Sequence, residues 1–244
     1  MTRVYGSLVA LCASFLMCAN ASAVELGSGF DLDLELTAVS DYRDRGISQT
    51  LGDPAIQGGA MLSSPIGAYV GAWASSVDFG EGSDTRMEQD IYAGWYIPVT
   101  DDLLLDIGWL KYMFPKNNEM NSSMYYFGAM YKGFEFSFQY SDDREGDQSG
   151  SATYLAYTYD INDSTRAYAR YGINDTKDES LFSASGNTRS KYDDWEIALE
   201  KDYWGATWKA SYIDTDMSEA ECMNFTGHDD LCSATVVASV SKHF

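Results

Sequence analysis

The sequence of 244 residues has little proline, with 4 residues, and little histidine, with 2. After an apolar stretch at residues 8–19, no segment approaches the roughly 18 apolar residues that a membrane-spanning helix requires. Helical membrane spans are therefore not expected. Only His228 and His243 could serve as imidazole acid–base groups, and this scarcity weighs against an enzyme.

Basic residues are also few, with 16 Lys and Arg against 37 Asp and Glu and a net charge of −21. Such an excess of negative charge repels nucleic acid, so no nucleic-acid partner is expected. It could attract cations or, through divalent ions, bind an anionic surface. The alternative is that acidic loops only keep the protein soluble.

The N-terminus has the pattern of a secretory signal peptide, with Arg3, an apolar core at residues 8–19 and Ala21-Ser22-Ala23 before a predicted mature start at Val24. A lipoprotein signal or a retained anchor is less well supported. We therefore predict a cleaved signal peptide at residues 1–23 and one domain at residues 24–244. Cys222 and Cys232 are then a candidate disulfide in an oxidising compartment, rather than a metal site.

Alternation of apolar and polar side chains dominates the rest of the chain. Residues 30–38, Phe-Asp-Leu-Asp-Leu-Glu-Leu-Thr-Ala, place an apolar residue at every second position. This period is that of a β-strand, whose successive side chains point to opposite faces. Twelve such segments are predicted, at 30–40, 55–64, 67–79, 88–97, 103–113, 123–132, 134–141, 151–160, 164–172, 191–200, 206–214 and 233–244.

The gaps between these segments are alternately long and short, and an even number of strands places both chain ends on the short-turn side. This is the layout of an outer-membrane barrel with short periplasmic turns and long extracellular loops. The fold class is thus all-β, a transmembrane antiparallel up-and-down barrel of about twelve strands. Ten or fourteen strands remain alternatives if the segment 67–79 or the gap 173–190 is misassigned.

The apolar face of each strand should contact lipid and the polar face should line the lumen. Segment 67–79 has apolar or small residues on both faces, and the small residues could let a loop or a side chain pack inside. Pore-lining candidates carry both signs of charge and are Asp31, Asp33, Glu35, Asp106, Arg166, Arg170, Asp194, Glu196, Glu200 and Lys209. Either acids and arginines lie on separate walls, or they pair with one another and plug the interior.

The alternating last strand ends in an aromatic residue, Phe244. A terminal strand of this kind resembles the signal that the barrel-assembly machinery recognises in bacterial outer-membrane proteins. Together with the signal peptide, it predicts export through the periplasm to the outer membrane of a Gram-negative bacterium. Outer-membrane lipid and lipopolysaccharide are then expected partners, and a homo-oligomer is possible.

The most distinctive motif is Ser40-Asp41-Tyr42-Arg43-Asp44-Arg45-Gly46-Ile47-Ser48-Gln49, and it is followed by Pro54-Ala55-Ile56-Gln57-Gly58-Gly59 and by residues 69–79, Tyr-Val-Gly-Ala-Trp-Ala-Ser-Ser-Val-Asp-Phe. These residues resemble the TorF-type family of bacterial outer-membrane β-barrels, a family of unknown function assigned as porins. The resemblance is specific over residues 38–97 and implies a channel. It implies no catalytic residues and no cofactor.

The first-loop motif of Asp41, Tyr42, Arg43, Arg45 and Gly46 has two interpretations. The loop could fold inward and narrow a pore, with its arginines facing acidic wall residues. It could equally be a salt-bridged loop anchor in which Gly46 supplies an unusual backbone angle.

We therefore predict a narrow diffusion channel that passes small solutes or ions and prefers cations. The rival classes are an outer-membrane lipase or protease that uses His228, and a structural or adhesive barrel that conducts nothing. No cofactor and no metal site are expected.

Overall fold

A computed structural model describes residues 24–144 and 148–244. The predicted signal peptide, residues 1–23, lies outside the described residues. Twelve long strands follow one another along the chain: β1 Phe30–Val39, β2 Ala55–Ser63, β3 Ala68–Ser76, β4 Met87–Pro98, β5 Leu103–Met113, β6 Ser122–Tyr131, β7 Phe134–Arg144, β8 Gln148–Asn162, β9 Thr165–Asp175, β10 Lys191–Tyr203, β11 Ala206–Thr215 and β12 Thr235–His243.

Each long strand pairs antiparallel with the next, and β12 pairs with β1 through Ser239↔Val39 to His243↔Glu35. The sheet is therefore a closed, twelve-stranded, up-and-down barrel, as predicted. The short strand Val24–Gly27 pairs with the start of β1 and occupies the place beside it that β12 leaves after His243. Closure satisfies the backbone polar groups of both edge strands, which an apolar surrounding requires.

The connections form two classes, one at each end of the barrel. The short-turn end has connections of two to four residues, as at Lys132–Gly133. The long-loop end carries two two-residue hairpins, Arg43–Asp44 with Ile47–Ser48 and Leu181–Phe182 with Thr188–Arg189, a 3₁₀ turn at Asn118–Met120, and one helix, α1, at Glu219–Thr226. Among the described residues, no helix is long and apolar enough to cross a membrane.

The structure corrects one predicted loop. Residues 142–150 were expected to form a polar loop, but β7 extends to Arg144 and β8 begins at Gln148, with Arg144 opposite Gln148. This hairpin therefore rises past its neighbours at the long-loop end. Hydrogen bonds to side chains help to explain why polar residues continue the ladder here, since Asp143 accepts from the Ser123 backbone N–H (2.6 Å) and the Ser141 hydroxyl (3.2 Å).

The outer surface of the barrel is apolar, as the alternation predicted. Ile197 and Leu199 on β10 are exposed, whereas Asp194 and Ala198 on the same strand are buried. Exposed aromatic residues cluster near both ends, with Tyr131, Phe134, Tyr157, Tyr159, Tyr203, Trp204, Trp208 and Phe244 at the short-turn end and Tyr125, Tyr140, Tyr171 and Tyr212 nearer the long-loop end. Two aromatic belts flanking an apolar band are typical of barrels that sit in a bilayer.

Small residues on β3 let large rings lie flat against the inner wall, as one reading of segment 67–79 anticipated. A side chain on Gly71 would place its Cβ atom 2.3 Å from the ring of Tyr92 on β4. The missing side chain therefore leaves room for that buried tyrosine. Tyr69 on the same strand donates its hydroxyl to Asp106 (2.6 Å) and stacks on Tyr96, with 4.5 Å between ring centroids.

Candidate functional site

The half of the barrel interior nearer the long-loop end is packed solid. Wall side chains from four strands, Glu88, Asp90, Leu110, Tyr112, Met124 and Gln139, are at most 1% exposed. They are covered by residues 41–50 of the first loop, which we call the plug. Buried residues of the plug include Tyr42, Asp44, Arg45 and the run Ile47–Thr50. The predicted first loop therefore folds into the lumen.

Asp41 organises the plug from within. Its carboxylate accepts hydrogen bonds from Arg43 Nε (2.6 Å), the Ser48 hydroxyl (2.6 Å) and the Thr50 hydroxyl (3.3 Å). The ion pair between Arg43 and Asp41 is buried on both sides. This is the salt-bridged anchor that the sequence allowed as one of two interpretations of the motif.

Arg45 contacts the far wall. Strands β1 and β7 lie six positions apart in a ring of twelve, and Arg45, which follows β1, donates from Nη2 to Gln139 Oε1 on β7 (2.6 Å). The same atom lies 3.9 Å from the sulfur of Met124 on β6. On another side of the plug, the ring of Tyr42 packs edge-on against Trp73, with 5.6 Å between centroids. The plug therefore anchors itself and also spans the lumen, which combines the two interpretations.

The plug is covered by the last long loop, residues 216–234, which we call the lid. Cys222 and Cys232, the predicted pair, form a disulfide within it. The Ser48 backbone N–H donates to the Leu231 carbonyl (3.0 Å), and Arg43 Nη1 donates to the Ser233 carbonyl (2.8 Å). One buried apolar cluster joins plug, wall and lid, and it contains Ile47, Leu181, Tyr192, Cys222, Phe225, Leu231 and Cys232.

The lid helix is fixed at its N-terminus by a capping box, in which Ser218 and Glu221 bond reciprocally to each other's backbone N–H groups. Arg189 of the neighbouring loop donates from Nε to Glu221 Oε1 (2.7 Å) and also pairs with Asp216 (2.5 Å). Burial alone opposes ionisation of Glu221, but the bonds from Arg189 and Ser218 lower its pKa to about 2. The lid is thus bonded to two other loops, the plug and the loop that carries Arg189.

The half of the interior nearer the short-turn end contains a cavity of about 780 Å³. Its ceiling is plug residues Asp41–Arg45, and its lining continues to the short turns at residues 98–104 and 132–134. The lining includes eight carboxylates and six Lys or Arg side chains. This charged cavity, which we call the chamber, therefore lies next to the packed plug along the barrel axis.

The three basic residues that β9 and β11 contribute to this chamber, Arg166, Arg170 and Lys209, are paired. Arg166 donates to Glu200 (3.2 Å) and Asp202 (2.7 Å), Arg170 pairs with Asp194, and Lys209 lies 2.9 Å from Glu196 and 3.6 Å from Glu200. Lys209 also lies over the ring of Tyr168, 4.6 Å from its centroid. Of the two arrangements considered from the sequence, pairing describes this wall.

The opposite wall carries acids without cations. Between β2 and β6, inward positions of the described strands hold Glu88, Asp90 and Asp106 and no Lys or Arg. Glu35 on β1 accepts from the Thr37 hydroxyl (2.7 Å), and the described residues include no ion pair to it. The ionisable side chains of the inner surface are therefore distributed asymmetrically, with ion pairs on one side and, on the other, buried acids and Glu35 with no described ion pair.

The ten pore-lining candidates fall into two groups. Six of them line the chamber, namely Glu35, Arg166, Arg170, Glu196, Glu200 and Lys209. The other four, Asp31, Asp33, Asp106 and Asp194, are not part of its lining; Asp106 and Asp194 are buried against neighbouring side chains, and Asp33 lies 3.1 Å from His243 Nδ1 across the barrel seam.

Sequence reasoning missed Gln139 and Trp73, which hold the plug, and the lid helix. The strand period places Gln139 on the polar, inward face of the predicted segment 134–141, but its bond to Arg45 depends on how the first loop folds. The lid helix had a readable signal, because Ser218-Glu219-Ala220-Glu221 has the spacing of a capping box.

Nothing in the described part of the chain groups three His, Cys, Asp or Glu side chains closely enough to hold a metal ion. His228, the candidate enzyme residue, lies in the lid near Gly80 of the second long loop, where a Cβ atom on Gly80 would lie 3.3 Å from its Nε2. His243 lies at the opposite end, beside Asp33. The two histidines therefore do not form one site.

Comparison with known structures places the fold among porins. The KdgM porin in complex with disordered oligogalacturonate shares 5% identity, with a TM-score of 0.53 over 87% of this chain and 97% of that chain. The NanC porin shares 12% identity, with a TM-score of 0.52 over 86% of this chain and 97% of that chain. At these identities the likeness concerns the fold.

Comparison of sequences gives the family. No curated protein sequence matches the chain at a significant level. The TorF-type label that the first-loop motif suggested is not confirmed by these comparisons. A family of bacterial proteins does match over residues 23–244, which includes all of the chain that follows the predicted signal peptide. The chain belongs to this family, which is described as bacterial protein of unknown function (Gcw_chp).

Proposed function

We propose that the protein is a porin-like channel of the bacterial outer membrane that passes small hydrophilic solutes or ions. The observation that carries this proposal is the combination of an apolar, aromatic-belted exterior with a charged chamber of about 780 Å³ inside a closed barrel. Only a bilayer makes such an exterior favourable, and a barrel that merely anchored itself would not need a chamber of that size. The similarity in fold to the KdgM and NanC porins supports the same function.

The orientation we propose places the short turns and both chain ends in the periplasm and the long loops outside the cell. The chamber then opens toward the periplasm, and the plug and lid face the exterior. The signal peptide at residues 1–23 would direct export, and the terminal strand ending in Phe244 would engage the barrel-assembly machinery. The exposed belts would contact outer-membrane lipid and lipopolysaccharide.

Cation preference is the finer part of the proposal. The carboxylates of the chamber outnumber its Lys and Arg side chains, and the basic residues of β9 and β11 are already neutralised by pairing. Glu35 contributes a negative charge that no described ion pair cancels. Rings of acidic side chains favour cations in a pore because they lower the electrostatic energy of an entering positive charge.

Planar-bilayer recording under a KCl gradient tests this function. The refolded protein and a variant in which the hairpin 43–48 is replaced by two glycines should both give openings, with a reversal potential of the sign set by K⁺. A reversal potential set by Cl⁻ contradicts the cation preference. Absence of conductance in both proteins contradicts the channel.

A further inference from the structure

The plug and the lid together have the properties of a gate, and we infer that the channel is closed at rest by the plug, with Arg45 and the lid as its two fastenings. This inference rests on the proposed channel function. It starts from burial: the wall side chains beneath the plug, Leu110, Tyr112 and Met124 among them, are at most 1% exposed. Water does not reach these side chains, because the plug packs against them.

The inner fastening is a single charged contact across the lumen. Arg45 is 8% exposed, adopts a left-handed backbone angle (φ 48°) and reaches Gln139 Oε1 at 2.6 Å. A guanidinium buried this deeply is favourable only while its hydrogen bonds are made. Gln139 lies on a strand of the barrel wall, whereas Arg45 lies in a loop. This hydrogen bond therefore fastens the plug to the wall.

The outer fastening is the lid. Its Leu231 carbonyl accepts a hydrogen bond from the Ser48 N–H, and its Ser233 carbonyl accepts one from the Arg43 guanidinium. Ile47 of the plug packs in the apolar cluster around the disulfide. The lid is held closed by the Cys222–Cys232 disulfide and by Arg189. The sulfur atoms lie in residues that are 1% exposed, so the disulfide is a permanent brace and not a site for reduction in the folded state.

Below the plug the interior changes character. Asp41, Arg43 and Arg45 form both the underside of the plug and the ceiling of the chamber. Withdrawal of the plug toward the long-loop end therefore joins the chamber to the exterior in one step. The rest of the barrel wall, which is hydrogen-bonded all the way round, need not change. An element that is packed, fastened at two separate points and seated on a preformed chamber is suited to two discrete states.

The test is open probability in planar bilayers for wild type, Arg45→Ala, Gln139→Leu and the variant lacking hairpin 43–48. We expect rare openings in wild type, and for either point variant at least a tenfold rise, about the least that loss of a charge-assisted hydrogen bond predicts. The hairpin deletion should be open almost continuously. Arg86→Ala, which removes an exposed arginine of the second long loop, is the matched control and should leave wild-type gating unchanged.

Each outcome supports or contradicts the gate, provided that heat-dependent gel mobility shows every variant to be a folded barrel. Steady wild-type conductance equal to that of the deletion overturns the gate and leaves the channel function intact. An open deletion with Arg45→Ala and Gln139→Leu both behaving as wild type overturns the role of Arg45 as a fastening. Silence of all the variants, the deletion included, overturns the channel function and the gate together.

Discussion

The two halves of the barrel interior are built on the same strands and yet differ in kind. Toward the long-loop end, Tyr112 and Met124 are buried under the plug, while toward the short-turn end the same sheet encloses a chamber of about 780 Å³. Inward-facing side chains alternate along the strands throughout. The difference comes from one loop of about ten residues that folds inward. An alternating strand pattern therefore predicts that a lumen exists but not whether the lumen is open.

The largest effect on the contrast between the two halves should come from substituting Gly46, because the packed half has no room for a side chain at this position. A Cβ atom there would lie 2.4 Å from Thr215 Cγ2, at a backbone φ of +83°. We expect Gly46→Ala to destabilise the seated plug by about 3 kcal/mol, combining backbone strain with overpacking. Hydrogen exchange at the Ser48 and Gln49 amides, which lie in the plug, measures it.

Gly52 provides the matched control for that change. It has nearly the same backbone angle, φ +79°, but no atom within 4 Å of its would-be Cβ. Gly52→Ala should therefore cost only the backbone term, about 1 kcal/mol. If the two substitutions accelerate exchange in the plug equally, tight packing around Gly46 is not what holds the plug.

The next largest effect concerns the lid. Replacing both Cys222 and Cys232 with Ser removes a closed loop of about 11 residues, worth roughly 3 kcal/mol in the chain-entropy model. Since the disulfide lies outside the chamber, the loss should appear as faster proteolysis of residues 216–234, with the cation selectivity of open channels unchanged. Unaltered proteolysis would mean that Arg189 and the apolar cluster hold the lid without it.

A smaller effect on the stability of the lid is expected from lowering the pH. The pKa of Glu221 is about 2 in the folded lid against a usual 4.5, so its ionised form stabilises the fold. That contribution is complete above about pH 4.5 and is lost as the pH falls from there toward 2. Exchange of lid amides should accelerate over this window, and Glu221→Gln should abolish the pH dependence. The same acceleration in that variant would assign it to another group.

The smallest effect on stability should come from the chamber. Glu35→Gln removes a charge that has no described cationic partner, so the free energy of unfolding should change by less than about 0.5 kcal/mol. The reversal potential of open channels should nevertheless move toward zero. Asp31→Asn, on the same strand but outside the chamber lining, is the control and should not move it. Equal shifts would place selectivity elsewhere than at Glu35.

Alternation in the sequence was enough to predict the barrel, because side-chain period and loop length are local properties. It placed Ile197 and Leu199 outside and Asp194 inside, as the structure has them. The polar loop predicted at residues 142–150 was wrong, since polar residues up to Arg144 and from Gln148 onward continue the ladder. Asp143 is satisfied there by hydrogen bonds from Ser123 and Ser141 that a composition rule does not see.

The candidate site was predictable only in part, for a physical reason. The inward position of Gln139 follows from strand period, but its bond to Arg45 joins residues 94 apart in sequence and depends on the path of the plug. Ion pairs such as Lys209 with Glu200 follow from the register between β10 and β11, which alternation alone does not specify. Local pattern thus identified wall residues, whereas the contacts that close the lumen are long-range.

The most direct measurement of the contrast between the two halves uses one small substitution in each. Ser239 lines the chamber, and Ser141 is fully buried at the long-loop end. The rates at which Ser239→Cys and Ser141→Cys react with a small water-soluble thiol reagent, in barrels refolded into lipid vesicles, compare the halves. A plugged lumen predicts that the Ser239→Cys variant reacts at least about tenfold faster, since only its thiol meets water. Equal rates would show that water reaches both halves and would contradict the account.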